Sequence, residues 1–193
     1  MTIDTKTLSF KMVFTVFCAI TLTACGGGSS SSGGAPAPVL PSFTLFTTGL
    51  YNGDLNLAFE GKNIVDTSDE PTRMVVEVLG VVAGSQQVRI AFAQFSGTSS
   101  IGPDGGFSIP TGLFPIRIRG RNNQVISTCR GEFLFDGTFS GNTVSGNVTT
   151  LMSFTCDRPD FGPLTATGTF EASQGASKLA GFGRDITVEA LNY

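Results

Sequence analysis

From about residue 44 onward, apolar and polar positions alternate with the period of a β-strand. Residues two apart share one face of a strand, so Phe133, Phe135 and Phe139 line one side of the segment 127–141. Val144, Val148, Met152 and Phe154 line one side of the next segment, 143–156. A turn centred on Gly141-Asn142 joins the two and sets Phe139 opposite Val144 and Phe135 opposite Val148. Comparable runs cover 44–60, 73–82, 87–96, 113–121, 164–172 and 185–193, broken by Gly, Asn, Pro and Asp clusters. Asn52-Gly53 offers a hairpin turn within the first run, and Asn122-Asn123 closes the run at 113–121. Segments 61–72 and 97–110 read as loops, the second with a short strand at 107–109. Helical periodicity is nearly absent. The pattern predicts an all-β domain, an antiparallel meander of seven to nine strands forming a small soluble barrel, with a β-sandwich as the alternative.

Ahead of this domain the pattern changes twice. Met12 to Thr23 is a mostly apolar run behind Lys6 and Lys11, too short for a membrane-spanning helix, which needs about 20 apolar residues. It ends in Leu22-Thr23-Ala24-Cys25 and gives way to Gly26-Gly27-Gly28-Ser29-Ser30-Ser31-Ser32-Gly33-Gly34. These residues resemble a bacterial lipoprotein signal, a lipobox followed by a tether. The resemblance covers residues 1–38 and implies cleavage before Cys25 and acylation of that cysteine. Several acyl chains, at about 0.8 kcal/mol per buried methylene, give lasting anchorage. Gly26 stands where an aspartate would resemble an inner-membrane retention signal, so the implied destination is the outer membrane of the cell envelope. The chain then divides into a signal peptide (1–24), a lipidated cysteine with a Gly/Ser/Pro tether (25–38) and an all-β domain (39–193).

Composition narrows the function. Without the leader, which holds Lys6, Lys11 and Asp4, ten basic and fourteen acidic side chains leave a net charge of −4. That mild acidity argues against nucleic acid, which calls for a concentrated basic face. The chain has no His and no Trp. A membrane-spanning barrel is disfavoured, since counting back from Tyr193 by twos puts Glu189 and Asp185 on the lipid face.

Of the four cysteines, Cys18 falls in the leader and Cys25 is the implied acylation site. Cys129 and Cys156 remain, on core-facing sides of adjacent strands, and an oxidising compartment makes a disulfide the expectation. The Gly141-Asn142 register puts Cys129 opposite Phe154 and diagonal to Cys156, about 7–8 Å away between Cβ atoms. Either a turn shifted to Asn142-Thr143, which would set the cysteines directly opposite, or a bulge is needed; Gly137 and Gly146 offer places for a bulge, which is the expectation.

Candidate chemistry is sparse. Arg117, Arg119 and Arg121 alternate with Ile116 and Ile118, a stripe suited to an anion contact or to pairing with Glu132 and Asp136. Asn63, Asp66, Thr67, Ser68, Asp69 and Glu70 gather oxygen ligands without EF-hand spacing, so a solvated loop is expected and no metal. Asn147-Val148-Thr149 is formally a glycosylation sequon. With no histidine base, and only Lys62 and Lys178 as lysine bases, no catalytic residue and no cofactor is assigned. The membrane, through Cys25, is one expected partner; an envelope protein, a glycan or a small ligand is the other. The expected role is a non-catalytic structural or interaction module, the alternatives being a small-ligand carrier and a carboxylate-dependent hydrolase. A filled interior favours the module and a Phe- and Leu-lined void the carrier.

Overall fold

The computed structural model describes residues 45–65, 71–175 and 185–191. Within them one mixed sheet curls strongly into a half-barrel. Its strands begin with β1 (Gly49–Glu60), β2 (Ile64–Val65), β3 (Thr72–Val82) and β4 (Ser85–Phe92). There follow β5 (Phe95–Ser100), β6 (Gly106–Pro110), β7 (Phe114–Arg119) and β8 (Val125–Ser140). The last are β9 (Thr143–Cys156), β10 (Thr165–Gln174) and β11 (Thr187–Ala190), with a 3-10 turn at Pro159–Phe161. The order across the sheet is β2-β11-β7-β8-β9-β10-β1-β3-β4-β5, with β6 also paired to β8.

The all-β expectation holds, with two corrections to the meander. Among the described residues there are eleven strands rather than seven to nine, and β11 runs parallel to β7. The run at 87–96 is two strands, because the chain reverses at Ala93-Gln94 and pairs Phe92 with Phe95. No glycine or asparagine marks that turn, and Ala93 takes a left-handed φ of 45°. Conversely, Asn52-Gly53 does not turn. Gly53 lies inside β1, where a Cβ would sit 2.5 Å from the Cα of Ala172 on β10.

The β8–β9 hairpin forms at Gly141-Asn142, with Phe139 opposite Val144 and Phe135 opposite Val148. Gly141, at φ 58°, takes the left-handed conformation the two-residue turn requires. Farther along, two register slips, between Phe133 and Glu132 and between Glu132 and Arg130, move β9 by one residue each. Together they bring Cys129 directly opposite Cys156, with sulfurs 2.08 Å apart. The bulges lie beside Gly131, not at Gly137 and Gly146. At Gly131 a Cβ would fall 2.6 Å from the carbonyl oxygen of Met152 and from the ring of Phe154. The same slips turn Met152 outward, so it leaves the core face shared by Val144, Val148 and Phe154.

The concave face is filled by aromatic rings. Phe92, Phe133, Phe135, Phe154 and Phe170 are buried on it. Four strands separate β4 from β8 in the sheet, yet Phe92 meets Phe135 with ring centroids 5.0 Å apart and Phe114 of β7 at 5.5 Å. Phe95 stacks on Phe135 at 6.4 Å, so the edge strand β5 also closes over the core. Space for the rings comes from glycines on the inner wall. Gly137 and Gly146 are cross-strand partners, and at either position a Cβ would lie within 2.7 Å of the Phe170 ring. Burying a phenylalanine there contributes about 1.5–3 kcal/mol, and a methyl group on the wall would forfeit part of it through strain.

The crowded wall makes Gly146→Ala costly. It is expected to lower unfolding stability by about 1–3 kcal/mol in chemical denaturation, with the midpoint shifted and the slope kept. Tyr51 is fully buried, edge-on to Phe139 at 5.5 Å, and its hydroxyl donates to the Thr47 carbonyl oxygen at 3.1 Å. Burial raises its phenol pKa above 10.0, so the unfolded chain loses the proton first as the pH rises. The stabilisation is complete below about pH 10 and is lost above it as pH climbs toward the folded pKa. Tyr51→Phe should remove this contribution to alkaline destabilisation, measured as unfolding midpoints from about pH 8 to 11.

Candidate functional site

The arginine stripe lies where β7 meets β11 and the β7–β8 turn. Arg117 and Arg119 share the outer face of β7, because Ile116 and Ile118, which alternate with them, are buried in the core. Arg121 lies beyond the end of the strand, exposed in the turn that Gly120 and Gln124 close by a backbone hydrogen bond of 3.0 Å. The three guanidiniums therefore do not form one row.

Each arginine meets a different setting. Arg117 forms an ion pair with Asp185, just before β11, and Asp185 also accepts a hydrogen bond from Gln94 Nε2. One carboxylate thus ties β7 to the β4–β5 turn, from opposite sides of the half-barrel. Arg119 Nη1 donates to the Asn123 carbonyl oxygen at 3.0 Å and to Asn123 Oδ1 at 2.9 Å, bracing the turn. Glu189 is the register partner of Arg119 on β11, which places an acid on the neighbouring strand. Glu132 and Asp136 sit elsewhere, Glu132 opposite Met152 and Asp136 opposite Asn147 and Ser108, so they do not neutralise the stripe.

More charge collects close by. Arg130 pairs with Asp157 at 3.3 Å, and Arg158 pairs with Asp160 at 2.7 Å while covering the buried Phe161 ring at 5.3 Å. Asn63 Nδ2 donates to the Asp160 carbonyl oxygen at 3.0 Å, so Asn63 serves as a loop tie. The other oxygen-bearing residues of that loop, 66–70, lie outside the described residues, as do Cys25 and Lys178. Among the described residues, no group of three or more His, Cys, Asp or Glu could hold a metal ion.

A second feature becomes visible only once the strands are in register. Asn56, Thr169, Asn147, Asp136 and Ser108 form a polar row across β1, β10, β9, β8 and β6. Beside it, Asn56, Ser145, Asn147, Thr169 and Glu171 line a shallow depression of about 350 Å³ on the convex wall. The sequon residue Asn147 is exposed there. Nothing in the linear sequence marks this row, because its members lie on five strands far apart along the chain.

No protein-family model matches the chain, and no curated protein matches it. The arrangement offers paired surface charges and a polar wall. Arg117→Ala should cost about 0–1 kcal/mol, since both partners of its ion pair are partly solvated. Replacing Cys129 and Cys156 together with alanine should cost about 3–4 kcal/mol through the freed 27-residue separation. Thermal and urea unfolding of the two variants should rank them in that order.

Proposed function

We propose that the protein is a lipid-anchored module of the cell envelope, held through Cys25 in the outer membrane, whose β domain is non-catalytic. It acts as a structural or interaction unit and meets an envelope protein or glycan through its surface. The observation that carries this reading is the interior that the described residues fill with rings. Ring contacts run from Phe92 through Phe135 to Phe170 and Phe107, in the space a ligand-carrying barrel would leave open. The charged groups of the described residues and the polar row lie on the outside, on the convex wall and around β7, where a macromolecular partner would find them.

The reading is tested in two parts. The mature N-terminus of protein purified from membranes should be Cys25 carrying acyl chains by mass spectrometry, and Cys25→Ser should give chain without acyl groups. An unmodified Cys25 at the mature N-terminus of wild-type protein would refute anchoring. An interior without room for a ligand should leave an apolar fluorescent probe such as anilinonaphthalene sulfonate dark in the presence of folded protein. Stoichiometric, saturable probe binding would favour the carrier instead.

A further inference from the structure

We infer that the apolar end of the domain where the tether joins it rests on the lipid surface, with Leu45, Val81 and Val82 in contact with the bilayer. This rests on the anchored reading proposed above. The geometry begins at Gln86, a buried polar side chain on β4. Its Oε1 accepts the Phe46 backbone N–H and its Nε2 donates to the Phe46 carbonyl oxygen, both at 2.8 Å. The side-chain amide clasps the incoming chain as a strand partner would. The Phe46 ring packs on Phe139 at 5.2 Å, so the point where the tether becomes domain is held firmly.

That point lies beside the β3–β4 hairpin. Val81 is the register partner of Gln86 and Val82 of Ser85, and Leu45, Gly84, Ser85 and Gln86 line one depression of about 250 Å³. Ala83 and Gly84 both take left-handed φ, 50° and 84°, the conformation of a tight hairpin turn that presents its flanking residues rigidly. Leu45, Val81 and Val82 are 66%, 54% and 62% exposed. Among the described residues of this end, Asp104 carries the charge, and its Oδ1 accepts the Gly106 N–H at 3.1 Å within its own loop. The Arg89–Glu77 ion pair stands farther along the β3–β4 ladder, beyond the Val78–Val88 pair.

The tether selects the occupant. The Gly/Ser/Pro tether, residues 26–38, implies a root-mean-square span of about 20 Å, and only residues 39–44 separate it from Leu45. A bilayer held that close presents itself at a local concentration of order millimolar, so a contact too weak to act between free molecules is populated. Aliphatic side chains on a tip whose described residues carry little charge suit the boundary between headgroups and acyl chains, about 5–10 Å deep, of a zwitterionic membrane.

The chain contains no tryptophan, so a single introduced one reports its own surroundings. Full-length lipidated protein carrying Val82→Trp, Leu45→Trp or, as the distant probe, Val125→Trp would be reconstituted in phosphatidylcholine vesicles with and without brominated acyl chains. The proposal expects blue-shifted emission and quenching by brominated lipid for Val82→Trp and Leu45→Trp, insensitive to salt, and neither effect for Val125→Trp. Two probes at the tip guard against one substitution disturbing the hairpin, and the Cys129–Cys156 disulfide by mass mapping checks folding of each. Protein that floats with the vesicles while both tip probes stay unquenched would overturn the docking and leave the anchor standing. Quenching of Val125→Trp equal to that of the tip would overturn it as well. Protein that does not float with the vesicles would overturn the anchored reading itself.

Discussion

The fold depends on rings seated against a wall that has been cleared for them. A sheet curled this tightly converges on its concave side, and inward side chains from neighbouring strands compete for the same space. Phenylalanine at every inward position would force the curl open. Glycine at Gly131, Gly137 and Gly146 removes the side chains where the rings of Phe154 and Phe170 must lie. The same glycines let β8 and β9 approach closely and bend. Phe92 and Phe95 then reach Phe135 from the far end of the sheet order, and hydrophobic burial holds the two sides together.

Polar groups at the rim serve that closure. Asp185 accepts from both Arg117 and Gln94, joining β7 to the β4–β5 turn where the curled sheet comes around on itself. Gln86 does comparable work at the other end by supplying the hydrogen bonds that the lone strand-like residue Phe46 lacks. A buried amide is costly unless both its donor and its acceptor are used, and here both are. The charged residues thus brace surface turns, and the domain's two ends differ in character. Among the described residues, one is rich in ion pairs and the other nearly bare of charge.

The disulfide belongs to the same logic. In an unbulged hairpin Cys129 would face Phe154, and the cysteines would sit diagonally, out of reach. The two slips opposite Gly131 solve the geometry and leave Met152 on the outside, about half exposed. An apolar residue facing solvent is thus the consequence of bringing one sulfur to another while keeping Phe154 in the core.

By itself the sequence determined the features that local pattern encodes. These are the all-β class, the strand pair read at 127–141 and 143–156, the turn at Gly141-Asn142 and the inward set of phenylalanines. Period-two alternation specifies the strands directly, and Gly141 marks its own turn. The pairing of Cys129 with Cys156 was also legible, because both fall on core-facing sides of one hairpin, and the register from the turn showed that a shifted turn or a bulge had to bring them together. The place of the bulge was not, since it depends on which glycine faces a ring across the strand pair. The turn at Ala93-Gln94 was hidden because tertiary contact of Phe92 and Phe95 with the core imposes it on residues with no turn preference of their own. The arginine stripe looked continuous because alternation in a sequence does not say where a strand ends. Arg117 found Asp185, 68 residues away, only because a parallel strand brings it alongside. The polar row from Asn56 to Ser108 likewise exists only in the folded sheet. Side-chain period is a property of neighbours along the chain, whereas registers, edges and partners are set by which strands the buried rings draw together.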